Sequence, residues 1–402
     1  MAEHDGKQTP VSSEPEPERT AAEPFSVTQG PFLRLLRRLH LTRPDGSARA
    51  WPLVAIAWGP LLLGAGVCAA AGHPVAPIVR DISVHTRLLI GIPLLIHAER
   101  ILEQRCRSAV EQLHAGRFAD RAVVDRILDR ARRLRDSRPV VLALAALALL
   151  GSQALLWGFP GLTGPFAGIT GPGELSFTRL WYVSVAWPIA QLLILRWLWH
   201  WVIWSYVTVR LSRLPLATIA THPDHAAGIG FLAEPITGFS GFVLALSALM
   251  ASGWSMQVVH HHVRLKAFVP EFVAFVVLAA IVACGPLLLF IGMLYRARHR
   301  EIDRYNGLAL DYVRAFHRKW IEDRSDRDEL LGTADLQALN DLCGAYANLD
   351  RARLVPLGPR PLVSLLIAAV VPMLPLAAAA MPLDELLKQL VHVLLGTLPG
   401  VG

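Results

Sequence analysis

Residues Phe268 to Tyr295 read FVPEFVAFVVLAAIVACGPLLLFIGMLY, and Glu271 is the only charged residue among them. A bilayer core about 30 Å thick is crossed by roughly 20 apolar residues of α-helix, because lipid offers no partner to an unbonded backbone group. The stretch is long enough and apolar enough to cross. It therefore predicts a membrane-spanning helix.

Five further stretches satisfy the same criterion, and a weaker seventh is interrupted by Arg87. The sequence thus predicts an all-α, polytopic helical membrane protein with about seven transmembrane helices and helical cytoplasmic extensions. The weaker segment is Ile82 to Ala98. The five are Trp51 to Gly72, Pro139 to Gly158, Leu180 to Trp199, Phe239 to Val259, and Leu362 to Met381.

The composition of the chain agrees with lipid as its main solvent. Of its 402 residues, 53% are hydrophobic and 18% are charged, and the mean hydropathy is +0.41. A formal net charge of +7 is compatible with nucleic-acid binding, but the basic residues cluster beside apolar segments, as membrane topology requires. We expect no nucleic-acid partner. The four cysteines are isolated and predict no disulfide framework or zinc ribbon.

Charge asymmetry orients the predicted spans. Arginines precede the first span and fill the stretch from Arg100 to Arg138, whereas the loop from Phe159 to Ser176 has no Lys or Arg. Basic loops stay in the cytoplasm, so these assignments alternate correctly only with seven crossings. We predict a multi-pass protein of the bacterial inner (plasma) membrane with a cytoplasmic amino terminus.

The predicted organisation has nine parts. They are a disordered cytoplasmic tail (1–30), a basic juxtamembrane segment (31–50), transmembrane helices 1 and 2 (51–98), arginine-rich cytoplasmic helices (99–138), transmembrane helices 3 and 4 (139–205), a His-Pro-Asp loop (206–238), transmembrane helices 5 and 6 (239–295), a cytoplasmic helical region (296–360), and transmembrane helix 7 with a C-terminal amphipathic helix (361–402).

Two stretches outside the spans repeat apolar residues at helical spacing. The first carries Val124, Ile127, Leu128, Ala131 and Leu134, and the second carries Leu336, Leu339, Leu342 and Tyr346. Together they predict a cytoplasmic helical layer in which the apolar faces bury one another. The alternative is helices that lie separately on the lipid surface.

The loop between the fourth and fifth spans contains His222, Asp224 and His225, which in principle can share a divalent metal such as zinc. The other interpretation is structural. Pro223 forces a turn, Asp224 caps the next residues of the chain, and Gly228 and Gly230 allow close backbone approach.

Ionisable residues inside lipid are functional candidates by default. Arg87, Arg179 and Glu271 fall near one outer level and suggest a charged site in a passage; the alternative is snorkelling arginines with a water-facing Glu271.

Near the inner membrane surface the fourth predicted span is rich in tryptophan. Arg196 and His200 predict an interface anchor or gate there, and Trp197, Trp201 and Trp204 form a stripe of packing or belt residues.

The run H-P-D-x-x-x-G-x-G-F-L from His222 to Leu232, with Leu195 to Trp199 before it and Leu331 to Gln337 after it, resembles a group of uncharacterised bacterial inner-membrane proteins. The resemblance implies a bacterial membrane and carries no activity. This chain departs from the pattern at Ala227, where a second glycine is expected.

Three functions remain open. The first is a channel or transporter-like passage for an ion or small solute, suggested by prolines inside five of the apolar segments. The second is a membrane-anchored scaffold or signalling protein that binds a protein partner or anionic lipid headgroups through its cytoplasmic helices, and homo-oligomers are compatible with both. The third is a metal-dependent enzyme, which is less favoured because no catalytic motif is present; apart from such a metal, no cofactor is predicted.

Overall fold

The structure is a computed structural model that describes residues 25–42, 47–72, 79, 81–156, 177–261, 263–322 and 334–380. Within these residues the regular structure is helical, and one bridge between Thr42 and Ala48 is the only extended pairing. The predicted all-α membrane fold is thereby confirmed. Most of the predicted tail (1–24), the outer loop (157–176) and the C-terminal helix (381–402) lie outside the described residues.

Eleven helices follow one another along the described chain. They are α1 (Pro31–Arg38), α2 (Ala50–Ala70), α3 (Ile82–His85, a π-helical turn Thr86–Gly91, and Ile92–Ala115), α4 (Arg121–Arg135), α5 (Arg138–Leu156), α6 (Phe177–Trp181, a π-helical turn Tyr182–Ala186, and Trp187–Ser212), α7 (Glu234–His261), α8 (Val269–Leu288), α9 (Ile291–His317, then a π-helical turn Arg318–Glu322), α10 (Ala334–Asp350) and α11 (Pro359–Val370, continued after a 3-10 turn by Leu374–Ala380).

Five helices of the described chain are long and apolar enough to cross a membrane: α2, α6, α7, α8 and α11. The apolar part of α5 is shorter, from Arg138 to Gln153. The predicted second span, Ile82 to Ala98, is the first half of α3, which continues to Ala115 as one helix. An integral membrane protein is therefore supported, while the number of crossings and their direction stay predictions.

The central pair of the bundle is α3 against α7, with α11 on another side of α7. Glycines allow the close approach: a Cβ added to Gly238 would lie 2.6 Å from the Cα of Leu102, and one added to Gly241 would lie 2.5 Å from the Cβ of Ala98. Contacts this short are not tolerated in a packed interior. The two glycines thus fix the separation of α3 and α7.

One predicted helix is divided. The stretch from Phe268 to Tyr295 predicts a single helix, but α8 ends at Leu288 and α9 begins at Ile291. Pro286, in the last turn of α8, has no N–H to donate, so the helix lacks one backbone hydrogen bond there. Phe290, in the break, is fully buried.

Candidate functional site

The residues before α1 form an ordered segment against α3, α4 and α6. Phe25 and Val27 are 3% and 0% exposed. The carboxylate of Glu103 in α3 accepts hydrogen bonds from the backbone N–H of Val27 and Thr28, both at 3.1 Å, and from the Thr28 hydroxyl at 3.0 Å. The prediction of a disordered tail is wrong for residues 25–30, because these apolar and polar contacts offset the entropy of ordering them.

A buried ion pair lies directly behind this segment. The Arg196 Nη2 of α6 is 3.1 Å from the Glu99 Oε2 of α3, and the two side chains are 8% and 6% exposed. Arg196 also donates to the carbonyl oxygen of Thr28 at 2.9 Å and stands 4.5 Å from the ring centre of Phe32. Its charge is thus paired inside the protein, and its predicted role as an interface anchor or gate stays a prediction.

The acidic half of this site was missed at the sequence level. Glu99 and Glu103 lie one helical turn apart, so they share a face of α3 where it leaves its apolar half. Two carboxylates on one face beside an apolar segment are the signal that could have marked the site. Arg135 of α4 completes it by donating to the carbonyl oxygen of Ser26 at 2.5 Å.

The tryptophan stripe of α6 packs inside the bundle. Trp197 is fully buried, donates from Nε1 to the carbonyl oxygen of Leu95 at 3.0 Å, and stacks on Phe242 with the ring centres 5.4 Å apart. Trp204 is also buried, and Trp201 donates to the carbonyl oxygen of Val282 at 2.8 Å. The packing interpretation is confirmed, and a belt of headgroup-facing rings is wrong for Trp197 and Trp204.

His200 is buried inside the bundle, like Trp197 and Trp204. It is 2% exposed, and its ring centre lies 6.1 Å from that of Trp197. Its side chain is therefore enclosed by protein and not exposed on the surface of the bundle. The anchor or gate role of His200 stays a prediction.

The three charges of the predicted outer level lie in different surroundings. Arg87, in the π-helical turn of α3, is buried, donates to the Tyr182 hydroxyl and stands 4.1 Å from the ring centre of Trp187. Arg179 is half-buried in the first turn of α6, whereas Glu271 is exposed in the first turn of α8. The structure thus brings Arg87 to aromatic residues of α6 and not to Glu271.

The His-Pro-Asp loop is organised around one carboxylate. Asp224 accepts hydrogen bonds from the backbone N–H of Ala226, Gly228 and Gly230 at 2.8, 3.0 and 2.9 Å. Burial alone would raise its pKa, but these three N–H groups and the His222 imidazole outweigh burial and lower the pKa.

Backbone conformation explains the rest of this loop. Gly228 has a φ of +87°, and a Cβ there would lie 3.0 Å from the ring of Phe118. His225 and Ala227 also have positive φ, of 53° and 55°. The turn-and-cap interpretation is confirmed, and Ala227 adopts the left-handed conformation despite its side chain.

The metal interpretation of this loop is not supported by its geometry. His222 Nδ1 lies 2.9 Å from Asp224 Oδ1, and the same carboxylate is already engaged by backbone N–H groups. In the part of the chain that the structure describes, no group of three His, Cys, Asp or Glu side chains is placed to hold a metal ion. The predicted set of His222, Asp224 and His225 is therefore wrong as a metal site.

Helices α9 and α10 form an antiparallel pair, which we call the hairpin. Arg298 donates to the carbonyl oxygen of Asp350 at 2.8 Å, and the Tyr312 hydroxyl donates to that of Asp335 at 2.8 Å. From Arg298 to His317 no residue is buried, and Leu349 is the only buried residue of α10. The predicted burial of the second amphipathic stretch is wrong for Leu336 in particular, which is 55% exposed.

No family model matches the chain, and neither a curated protein nor a solved structure does. The resemblance carried by the His-Pro-Asp loop stays a prediction.

Proposed function

We propose that this chain is a membrane-anchored scaffold that assembles with a second copy of itself through the hairpin. The observation that carries the proposal is an apolar stripe on one face of α9 and its π-helical turn, formed by Leu310, Val313 and Ile321. These side chains are 50%, 49% and 53% exposed, on a helix that is not among the candidate spans. Covering such area stabilises association by about 25 cal/mol per Å².

The charges of the hairpin favour a second copy as the partner. With its π-helical turn, helix α9 has six arginines, one lysine and four acidic residues, whereas α10 has three aspartates and no Lys or Arg. In a twofold dimer, the basic α9 of each copy can face the acidic α10 of the other. A membrane surface suits this hairpin less well, because anionic headgroups would repel α10.

The cellular setting is part of the same proposal. The surplus of arginine before α2, in α4 and in α9 supports a cytoplasmic location for these helices in a bacterial inner membrane. The exposed arginines of α4 are available to anionic headgroups, so lipid contact there complements assembly through the hairpin.

The oligomeric mass of the purified full-length protein in lipid nanodiscs tests the proposal. The belt protein of a nanodisc sets its diameter, so discs with room for two copies can be chosen. We expect a dimer for the wild type and a monomer for the Leu310→Glu, Val313→Glu variant. The matched control is Ala315→Glu, which adds a charge at an exposed position on another side of α9. A monomeric wild type, or equal loss of the dimer in the control, would contradict the proposal.

The exposed Cys343 of α10 gives an independent readout, because Cys106 and Cys284 are buried and Cys68 is half-buried within the candidate span α2. Cys343 lies on the same face of α10 as Leu336, seven residues away. Dimerisation should slow its alkylation by N-ethylmaleimide at high protein concentration, and the double variant should remove that protection. The alkylation that is lost in a Cys343→Ser variant is the part that comes from Cys343.

The passage hypothesis has weaker support. The charged residues of the predicted outer level do not form one site, because Arg87 donates to the Tyr182 hydroxyl. The centre of the bundle is filled by Trp197, Phe290 and Leu102. Flux of ions or small solutes through proteoliposomes, lost in Arg87→Ala, is the result that would favour it over a scaffold.

A further inference from the structure

A cavity of about 340 Å³ lies between the N-terminal segment with α1, helix α5 and helix α6. Most of its wall is apolar, from Val141, Leu142, Leu144 and Ala145 of α5 and Leu192 of α6. Leu142 is 69% exposed on the outer side of the bundle. Because Leu142 both lines the cavity and is exposed, the cavity reaches the outer surface of the bundle beside the apolar helix α5.

One end of the cavity is polar. Arg196, Trp199 and His200 line it, and Arg196 Nη1, Trp199 Nε1 and His200 Nδ1 are buried nitrogen atoms without a hydrogen-bond partner among the described residues. Arg196 and His200 are 6% and 2% exposed. Leaving a buried donor unbonded costs about 1 to 3 kcal/mol. Arg196 and Trp199 can only donate, and His200 donates from Nδ1 in one of its two tautomers, so these groups at one end of a cavity suit an oxygen acceptor.

The charges around this end favour a negative acceptor. Arg135 and Arg196 both line the cavity, whereas their carboxylate partners Asp136 and Glu99 do not. Arg34, Arg37, Arg38 and Arg138 add positive charge on the adjoining helices. Guanidinium groups bind oxyanions through short charge-assisted hydrogen bonds.

We propose that this cavity binds an acidic amphiphile, with its oxyanion on Arg196, Trp199 and His200 and the beginning of its acyl chain along α5. The volume is near the lower end of ligand pockets, about 300 to 1,000 Å³. The cavity therefore holds the polar headgroup and the first carbons of the acyl chain, and the rest of the acyl chain lies in the bilayer. The site does not depend on assembly through the hairpin.

Two sources supply this chemistry, a phospholipid phosphate and a free fatty-acid carboxylate. Native mass spectrometry of the full-length protein in a nonionic detergent separates them when phosphatidylglycerol, oleate, phosphatidylcholine and inorganic phosphate are added in turn. We expect one equivalent of phosphatidylglycerol or of oleate to bind; whichever binds more tightly identifies the source. Inorganic phosphate should not compete, because it has no chain.

The matched variants are Ala145→Phe, which fills the apolar wall without touching the polar end, and Ala146→Phe, its exposed neighbour outside the cavity. Ala145→Phe should weaken binding by about tenfold or more, and Ala146→Phe should leave it unchanged. Both should keep the melting temperature of the wild type. Equal binding of phosphatidylcholine and phosphatidylglycerol with no binding of oleate, or equal binding to both variants, would overturn the proposal.

Discussion

Helix α4 and the hairpin have similar patterns of apolar residues and opposite surroundings. Each carries arginines and repeats apolar residues at helical spacing. In α4, Val124, Ile127, Leu128 and Ala131 are all buried, whereas the apolar stripe of the hairpin is about half exposed. Periodicity therefore establishes that a helix has an apolar face, but not that the same chain supplies a surface to cover it.

The connections of the two regions explain the difference. Short turns join α4 to α3 and to α5, and Asp120 begins the helix by accepting the Ala122 N–H at 2.9 Å. With both ends tied to the bundle, α4 must lie along α6. In contrast, α9 leads away from α8 and its far end meets α10.

The largest expected effect concerns the charges of the two regions. Glu99→Ala leaves the buried Arg196 without its carboxylate and should lower the free energy of unfolding by about 3 to 5 kcal/mol. Asp350→Ala removes the exposed partner of Arg298 in the hairpin and should cost about 0 to 1 kcal/mol. Unfolding in mixed micelles with increasing dodecyl sulfate measures both.

A control separates ion pairing from shape. Glu99→Leu combined with Arg196→Met replaces both charges with apolar groups of similar size, so most of the stability should return. If Glu99→Ala and Asp350→Ala cost the same, the contrast between the regions would be wrong.

Apolar truncation should give the next largest difference. Leu128→Ala opens a cavity in the buried face of α4 and should cost about 2 to 5 kcal/mol. Leu310→Ala in the hairpin removes a half-exposed side chain and should change the stability of the monomer by about 0.5 kcal/mol or less. The same unfolding assay compares them at a concentration where the protein is monomeric. A large cost at Leu310 would mean that the stripe is covered within one chain.

The smallest expected effect is a pH dependence confined to the hairpin. Hydrogen bonds from Lys319 and Trp320 lower the pKa of Asp335 below its ordinary value of 3.8. A carboxyl with a depressed pKa in the folded state stabilises it above the unfolded pKa, and that stabilisation is lost as the pH falls through the folded value. Protection of α10 from hydrogen exchange should therefore decline as the pH falls below 3.8 and through the lowered pKa of Asp335.

Asp335→Asn provides the control for this effect. It should lower the protection of α10 already at neutral pH and make it insensitive to acid, whereas α4 should respond to neither change. A decline of equal size in α4 would show that acid acts on the whole bundle and not on Asp335.

Much of the fold can be predicted from patterns within single segments. The apolar stretches around α2, α6, α7, α8 and α11 indicated helices that are long enough to span, and four of the five apolar positions of α4 are buried as their spacing predicts. The turn at Asp224 was also predictable, because the residues that close it are neighbours in the sequence.

The candidate site was less predictable, because its members come from distant parts of the chain. Glu99 and Arg196 sit on different helices, and each alone resembles a charge at the end of a span. The segment from Phe25 to Gly30 has the composition of a tail, and its order depends on Glu103 in α3. Long-range pairing of this kind leaves no periodic signal in either partner.

The π-helical turns of α3 and α6, which meet through Arg87 and Tyr182, have a consequence for descent. Each turn holds one residue more than an α-helical turn, as a single-codon insertion would produce. Removing that residue from one helix would rotate everything beyond it by about 100° and separate Glu99 from Arg196. A relative of this chain that lacks the extra residue in one helix is therefore expected to lack the pairing of Glu99 with Arg196 as well.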